Sequence, residues 1–217
     1  MTESNLLQEI QEDMQRQKME ALWKRYGGYV LAIVLVIVLV TAAYNYMKHE
    51  RIQAEQTASA GLIETLNAKD KDKSTKMSAL QDFAGKNPGI SQAAFAQLQA
   101  AGLAVDAGDT TKAVALYDAL AKDDKTDPIF RQLADLLAVQ TQMDKGDPAA
   151  LQERLQPLLA NSAWKYTAKE YSAHLAMKVG DKVKARQLFA ELEQDVSAPN
   201  AIAQRAKVMA QLLSDGP

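Results

Sequence analysis

The most apolar part of the chain is an uncharged run near its N-terminus. No charged side chain occurs from Gly27 to Met47, which is 21 residues, and ten of the residues from Val30 to Val40 are Val, Leu or Ile. A helix of that length extends roughly 30 Å, the thickness of the hydrocarbon core of a bilayer. The pattern predicts a single transmembrane helix over residues 26–47, with tyrosines at both ends, where an interfacial aromatic belt belongs.

Two other interpretations of this run fit the sequence less well. A buried strand takes about 4 to 8 residues, and the run is more than twice as long without a turn signal. A cleaved signal peptide needs a short basic segment before an apolar stretch of about 7 to 15 residues. Here 26 residues precede the run, and they carry four Lys/Arg against five Asp/Glu. We therefore expect an uncleaved span.

The Lys and Arg residues near the run predict which way it crosses the membrane. Four lie within 15 residues before it, and two, Lys48 and Arg51, lie within 15 after it. Loops with the excess of Lys and Arg stay in the cytoplasm. We expect residues 1–25 to be a cytoplasmic tail and residues 48–217 to be a periplasmic domain, in a bacterial inner membrane. Three apolar residues of the tail recur at helical spacing and predict an amphipathic helix: Leu6, Ile10 and Met14.

Beyond the run, the chain has the periodicity of helices, and one short word recurs in it. GDTTKAVALYDAL begins at Gly108, GDKVKARQLFAEL begins 72 residues later at Gly180, and GDPAALQERLQPLL begins between them at Gly146. Glycine supplies the left-handed residue that ends one helix, and aspartate caps the next. Each word therefore predicts the turn of a helical hairpin, at three residue pairs: Gly108 and Asp109, Gly146 and Asp147, Gly180 and Asp181.

Apolar residues follow each Gly-Asp pair at helical spacing, so each second helix should bury one stripe. These stripes are Ala113, Leu116, Tyr117 and Leu120; Leu151, Leu155, Leu158 and Leu159; and Ala185, Leu188, Phe189 and Leu192. The helices before the turns carry stripes as well: Phe95, Leu98, Gly102 and Val105, and Tyr171, Leu175 and Val179. Because one hairpin cannot bury two stripes by itself, neighbouring hairpins must stack.

The predicted fold class is all-α, with one N-terminal transmembrane helix followed by a solenoid of about four helical hairpins and a C-terminal cap helix. An early, degenerate hairpin is expected within residues 52–88, and the cap helix within residues 199–213. Pro157 lies about ten residues into the helix that begins at Asp147. Proline at that depth removes a backbone hydrogen bond, so we expect a kink or an early end there.

The composition of residues 48–217 argues against several kinds of site. They carry 21 Lys/Arg and 22 Asp/Glu, the chain totals of 25 and 27 less the four and five of the tail, and this balance does not favour nucleic acid. Cysteine is absent, which excludes thiolate catalysis and disulfides. The two histidines, His49 and His174, are too few for a zinc site, and the carboxylates Asp123 and Asp124 lie among lysines in a predicted loop. We predict no enzyme activity, no cofactor and no metal.

Two aromatic residues are candidate partner contacts, Trp164 and Tyr171. A tryptophan in an interface contributes a large contact energy. Trp164 also lies at helical spacing with Ala168 and Tyr171, which is typical of a side chain that fills the groove between repeats. Core packing is the stronger interpretation of Trp164, and a partner contact is the alternative.

The Gly-Asp word, with a small residue five positions on and an aromatic nine on, is similar to the tetratricopeptide repeat (TPR). The aromatic and Leu-Gly pair usual in the first TPR helix are weak here, so the units are TPR-like. Three further features occur in order along the chain: a short N-terminal tail, the sequence LWKRYGGY at the start of the predicted span, and Trp164 ahead of GDKVKAR. Together with the repeats, they resemble the ancillary subunits of the SecYEG translocon. The resemblance implies a periplasmic TPR-like domain with three kinds of protein partner: SecYEG, a membrane-anchored prolyl-isomerase-like chaperone and exported polypeptides.

The predicted function is a membrane-anchored protein–protein interaction module that assists the handover of exported proteins to periplasmic chaperones. One alternative is a scaffold or signalling regulator of another envelope complex, whose cytoplasmic tail contacts a regulator. Another is an envelope enzyme, which rests only on loop carboxylates such as Asp123.

Overall fold

A computed structural model of the chain describes residues 35–46, 48–49, 52–53, 55–67 and 72–215. The chain divides into two compact units, residues 1–54 and residues 55–217. All regular structure in the described residues is helical. The predicted tail, residues 1–25, lies outside the described part of the chain.

The first unit contains helical residues 35–46, which form the second half of the predicted span. Their large apolar side chains are exposed, with Leu35 and Val40 61% and 63% accessible. Within the described residues, no helix is both long enough and apolar enough to cross a membrane. Residues 26–34 and residue 47 of the predicted span are outside those described, so the span stays a prediction.

The second unit is an array of nine helices in the described residues. They are α1 (residues 55–67), α2 (Lys73–Lys86), α3 (Ser91–Asp106), α4 (Thr110–Ala121), α5 (Pro128–Gln142), α6 (Pro148–Asn161), α7 (Lys165–Lys178), α8 (Lys182–Gln194) and α9 (Asn200–Asp215). From α2 onward each helix packs on the next, and α3 also contacts α5, as α7 contacts α9. The order is that of four hairpins and a last helix, which we divide into first helices (α1, α3, α5, α7, α9) and second helices (α2, α4, α6, α8).

The core of this unit consists of three apolar clusters that follow one another along the chain. The first is built from α1 to α5, the next from α5, α6 and α7, and the last from α7, α8 and α9. The helices α5 and α7 each contribute buried side chains to two clusters. Stacked hairpins therefore bury each other's apolar faces, as the repeat pattern requires.

The buried faces of the second helices agree with the predicted stripes. Ala113 and Leu120 on α4, Leu155 on α6 and Phe189 on α8 are at most 1% exposed. Leu116, Leu159 and Leu188 are partly buried against the same clusters. The helical period of the apolar residues therefore identified the buried side of these helices.

The predicted stripe of the first helix α3 is wrong at its two ends, although Leu98 packs partly buried against the first cluster. Phe95 and Val105 are 41% and 42% exposed, and the buried face consists of alanines, Ala93, Ala94, Ala96, Ala100, Ala101 and Ala104. Apolar residues occur on every side of α3, so the period alone did not select one face. Small side chains allow close approach of neighbouring helices, and the contacts selected the alanine side. On α7, likewise, Leu175 is buried but Val179 is 62% exposed.

The expected early end of α6 at Pro157 is also wrong, because the helix continues to Asn161. Proline leaves the carbonyl four residues earlier, that of Glu153, without its helical donor. Glu153 is exposed, where water can satisfy that carbonyl, while Leu155 and Leu158 on either side of the proline are buried. Packing of these leucines holds the helix together past the proline.

Candidate functional site

The turns at Gly108 and Gly180 are built in the same way. Both glycines have positive φ, +78° and +82°. At the first turn, the N–H of Gly108 donates to Val105 O at 2.9 Å and the N–H of Asp109 donates to Ala104 O at 2.9 Å. The second turn repeats this pair of bonds, with 3.0 Å and 2.9 Å for the equivalent residues. This is the Schellman arrangement, in which a left-handed residue satisfies the last helical carbonyls.

The turn at Gly146 differs, and the expectation of a left-handed glycine is wrong there. Among the described residues, positive φ occurs at Gly89, Gly108 and Gly180, not at Gly146. The N–H of Gly146 donates to Gln142 O at 2.7 Å. A methyl carbon on Gly146 would lie 2.8 Å from that carbonyl oxygen and 3.1 Å from Leu151 Cδ1. Glycine is needed at this turn because a Cβ would clash with the Gln142 carbonyl oxygen.

All three turn aspartates cap the helix that follows them. Asp109 Oδ1 accepts from the N–H of Lys112 and Asp181 Oδ1 from the N–H of Lys184, each at 2.9 Å. Asp147 accepts from the N–H groups of Ala149 and Ala150, each at the longer distance of 3.3 Å. The turn pairs thus fix where second helices begin and which side chains flank the grooves beside them.

A groove with a largely polar lining lies between the first helices α3 and α5, with α4 at its side. Its volume is about 410 Å³. The lining residues of this α3–α5 groove are Gly102, Val105, Asp106, Thr110, Tyr117, Leu137, Gln140 and Thr141. They combine apolar side chains with an amide, hydroxyls and a carboxylate. Such a mixture suits an extended polypeptide, whose main chain needs hydrogen-bond partners and whose side chains need apolar contacts.

Tyr117 forms the side of this groove and is 5% exposed. Burial, and then the nearby Asp106 carboxylate, raises the pKa of its phenol. The hydroxyl therefore stays neutral and keeps its proton at ordinary pH. Gly102 has no atom within 4 Å of the position where a Cβ would be, so open space lies beside α3 at this point.

A lysine side chain bridges the next pair of first helices, α5 and α7. Lys178 Nζ, at the end of α7, donates to the carbonyls of Met143 and Asp144 just past α5, each at 2.7 Å. The residue 36 positions earlier is Gln142, at the end of α5. Its amide donates to Ala138 O in its own helix at 2.9 Å and does not bridge to α3. The α3–α5 groove therefore lacks the bridge that joins α7 to α5.

A second groove lies between α7 and α9, with a volume of about 360 Å³. The lining residues of this α7–α9 groove are Glu170, His174, Gln204, Arg205, Val208 and Met209. Arg205 donates from Nε and Nη2 to the two carboxylate oxygens of Glu170, both at 2.8 Å. Glu170 is 4% exposed, so the two-point bond stabilises a buried carboxylate. This hydrogen bond raises the pKa of Arg205, which stays charged.

A third opening, the α6–α8 cleft, lies over α7 and has a volume of about 370 Å³. Leu175 and Ala176 of α7 and Leu188 of α8 are among its lining residues. Gln152 Nε2 on α6 donates to Ser172 Oγ on α7 at 3.0 Å within this lining. Part of the polar capacity of the α6–α8 cleft is therefore satisfied inside the protein.

Trp164 and Tyr171 both pack against the central core cluster. The indole N–H of Trp164 donates to Ile129 O at 3.1 Å, and Trp164 precedes α7 as its N-terminal flanking residue. Burial, then the charge of Glu170, raises the pKa of the Tyr171 phenol, and Arg205 opposes that change. Both aromatics are partly buried, so a partner contact by either stays a prediction.

The predicted turn carboxylate Asp123 occupies a turn. Its two oxygens accept from the N–H of Lys125 and the hydroxyl of Thr126, at 3.1 Å and 2.8 Å. His174 lies edge-on to Phe189 with ring centroids 5.2 Å apart. Across the described parts of the chain, no group of three or more His, Cys, Asp or Glu could hold a metal ion.

The groove residues Leu137, Gln140 and Thr141 were not identified from the sequence. One signal pointed to them, because first helices recur about every 36 residues and Thr141 lies 36 residues after Val105. Both residues line the α3–α5 groove. The repeat therefore marks equivalent positions, but not which of them face open space.

Comparison with known families agrees with this architecture. A family model of the tetratricopeptide repeat-like domain matches residues 20–212. No curated protein and no solved structure matches the chain. The matched region takes in every hairpin of the second unit and most of the last helix. The chain belongs to the tetratricopeptide repeat-like domain family.

Proposed function

We propose that the chain is a membrane-anchored interaction module that holds exported polypeptides beside the Sec translocon and assists their handover to a periplasmic chaperone. Domains of the tetratricopeptide repeat-like family suggest protein partners in general. The single observation that supports polypeptide binding most directly is the open α3–α5 groove on the first helices.

The chemistry of the α3–α5 groove fits a main chain in extended conformation. Gln140 is exposed, and its amide can both donate and accept, as the N–H and C=O groups of a bound peptide require. Val105 and Leu137 offer apolar contact to alternate side chains of that peptide. Asp106 is an exposed carboxylate at the C-terminal end of α3, where a basic side chain of the peptide is favoured.

The membrane anchor is supported by the uncharged run from Gly27 to Met47. The helical residues within it that the structure describes present their large apolar side chains outward. The excess of Lys and Arg before the run supports a cytoplasmic N-terminus and a periplasmic array of hairpins. SecYEG and a membrane-anchored prolyl-isomerase-like chaperone are proposed as partners from the sequence resemblance.

Attachment to the membrane allows a groove that binds weakly to capture emerging chains. A groove of this size and openness is suited to brief contacts with many sequences. Confinement to the membrane near the exit site raises the effective concentration of the groove for an emerging chain, without any new contact. Release to a chaperone then needs no energy source, because each individual contact is weak.

The test uses Gly102, because this residue lines the groove and a Cβ there would have nothing within 4 Å. In Gly102→Leu the new side chain should fill the α3–α5 groove, and the exchange of a helical glycine should if anything stabilise α3. Gly85→Leu is the matched control, since Gly85 lies in α2 and likewise has nothing within 4 Å of a Cβ. A photo-crosslinking residue replaces Gln140 in the full chain, in intact bacterial cells.

We expect crosslinks from position 140 to exported polypeptides and translocon subunits in the parent and in Gly85→Leu. In Gly102→Leu we expect a loss of at least about tenfold, because the site is sterically occupied. Equal crosslinking in both variants would show that the groove is not the binding surface. Crosslinks only to cytoplasmic proteins would contradict the proposed location.

A further inference from the structure

One residue of the α3–α5 groove differs in chemistry from its equivalents in the other hairpins. The ninth residue after each turn glycine is Tyr117 in α4, Leu155 in α6 and Phe189 in α8. Leu155 and Phe189 are 0% exposed, and Tyr117 is 5% exposed. The core therefore accepts a wholly apolar side chain at this position, and packing does not account for the hydroxyl of Tyr117.

The Tyr117 hydroxyl has no partner inside the described part of the protein. It forms no hydrogen bond there, and its oxygen is not one of the unpartnered polar atoms that are closed off from solvent. Leaving a nearly buried polar group unpaired costs free energy, which a bound acceptor would recover. Since Tyr117 lines the α3–α5 groove, its hydroxyl is placed to donate to a molecule bound in that groove.

Asp106 places a negative charge near this hydroxyl. After burial, its carboxylate is the second cause that raises the pKa of the Tyr117 phenol, so the two groups are neighbours in the groove lining. Lys73 Nζ donates to the main-chain O of Asp106 at 3.1 Å, and in the described residues the carboxylate itself forms no ion pair. Asp106 is also the last residue of α3, where the helix dipole disfavours an anion. A cation bound beside Asp106 would offset that unfavourable charge.

We propose that the α3–α5 groove selects extended polypeptide segments that carry lysine or arginine: Tyr117 donates to a main-chain carbonyl of the segment, and Asp106 pairs with the basic side chain. The acceptor is a neutral carbonyl, because Asp106 would repel a carboxylate at the same place. Acidic segments are rejected for the same reason. This selection rests on the proposed function of the groove and adds the class of segment that it binds.

Labelled peptides with blocked termini test the selection. The basic peptide is Ser-Val-Ser-Val-Lys-Val-Ser-Val-Ser, and the neutral and acidic peptides have glutamine or glutamate in place of lysine. The alternating pattern gives an extended chain one polar and one apolar side. Binding of each peptide to the full chain in nonionic detergent micelles is measured by fluorescence anisotropy at low and high salt.

We expect the basic peptide to bind about three- to tenfold more tightly than the acidic peptide at low salt, with the neutral peptide between them, and the difference to shrink at high salt. In Asp106→Asn the three peptides should bind alike. Asp82→Asn is the matched control and should keep the preference, because Asp82 is an exposed carboxylate of α2 outside the groove lining.

Tyr117→Phe should weaken binding of all three peptides about two- to tenfold without changing their order, because one hydrogen bond to the main chain is lost. The variant should fold as the parent does, since Phe189 occupies the equivalent position in α8, and thermal unfolding checks this. Tyr166→Phe is the matched control. The Tyr166 hydroxyl is also buried without a partner, but Tyr166 does not line the groove, so binding should not change.

Three results would overturn the selection and leave the groove a polypeptide site, provided that Gly102→Leu still reduces peptide binding. They are equal affinity of the parent for the basic and acidic peptides, an unchanged preference in Asp106→Asn, and unchanged binding in Tyr117→Phe. Absence of peptide binding to the parent, or binding that Gly102→Leu does not reduce, would contradict the groove as a binding surface and the selection with it. The two failures are therefore distinguishable.

Discussion

The turn at Gly146 and the turns at Gly108 and Gly180 share a Gly-Asp pair but use their glycine for different reasons. At Gly108 and Gly180 the backbone is left-handed, and the space beside the glycine is open. At Gly146 the backbone is not left-handed, but the Gln142 carbonyl lies where a Cβ would be. One dipeptide therefore satisfies two physical demands, a dihedral angle in two turns and a close approach in the third.

The largest expected effect is that of Gly146→Ala. The added methyl group contacts backbone, which cannot move aside as a flexible side chain can, so we expect a loss of about 2 kcal/mol in the free energy of unfolding. Gly108→Ala should cost about 1–2 kcal/mol through the left-handed strain. Urea unfolding of the full chain, followed by circular dichroism, measures both.

Asparagine separates the two causes. It tolerates the left-handed conformation, so Gly108→Asn should recover part of the loss seen with alanine. Its Cβ is the same as that of alanine, so Gly146→Asn should recover nothing. If asparagine recovered stability at position 146 but not at position 108, the left-handed glycine would be Gly146 and not Gly108, which would contradict the comparison.

The helix caps should show the next largest difference. Asp109→Ala removes a 2.9 Å cap bond and should cost about 1 kcal/mol. Asp147→Ala removes bonds of 3.3 Å, and Pro148 already presets the first helical dihedral, so its cost should be smaller. Asp109→Asn keeps an acceptor oxygen and is the control. A cost at Asp147 equal to that at Asp109 would contradict this ranking.

The smallest expected effect comes from an ion pair that the hairpin of Gly180 contains and the otherwise similar hairpin of Gly108 cannot form. Lys169 Nζ bonds Glu191 Oε2 at 2.9 Å across the α7–α8 hairpin, whereas the equivalent residues of the α3–α4 hairpin are Gln97 and Ala119. The hydrogen bond from Lys169, then that from Gln187, lowers the pKa of Glu191. Its stabilisation is full above the unfolded value of about 4.5 and is lost as pH falls through the lower folded pKa.

Glu191→Gln removes the charge and keeps the acceptor. At neutral pH the variant should be less stable by about 0.2–1 kcal/mol, the usual range for an exposed ion pair. This difference should vanish on acidification, as measured by thermal unfolding at several pH values. Ala119→Gln places the same side chain on α4 and should show no such pH dependence. A difference in stability that grows as the pH falls would contradict the lowered pKa of Glu191.

The buried stripes of α4, α6 and α8 were predictable because most of the large apolar residues of each helix lie on one side of it. Ala185, Phe189 and Leu192 recur at helical spacing among charged residues, so only one side of α8 could be buried. The first helix α3 has apolar residues on every side, and the predicted stripe through Phe95 and Val105 was on the exposed side. Amphipathic contrast, more than helical propensity, determines how far such a prediction succeeds.

The candidate site was less accessible to sequence analysis. The α3–α5 groove joins Asp106 to Leu137 and Thr141 across a turn, a helix and a loop. The Arg205–Glu170 bond joins residues 35 positions apart, and Lys178 reaches 35 positions back to Met143. Such pairs share no local pattern, since their separation is set by packing.

By itself, the sequence determined the helical class, the hairpin turns, the caps at Asp109 and Asp181 and the buried stripes of the second helices. These depend on residues within one or two helical turns of each other, where backbone geometry is nearly the same in any protein. Only the tertiary structure decided which side of α3 is buried and where grooves open. Each of those depends on the distance between helices, which results from all their contacts together and not from any one segment.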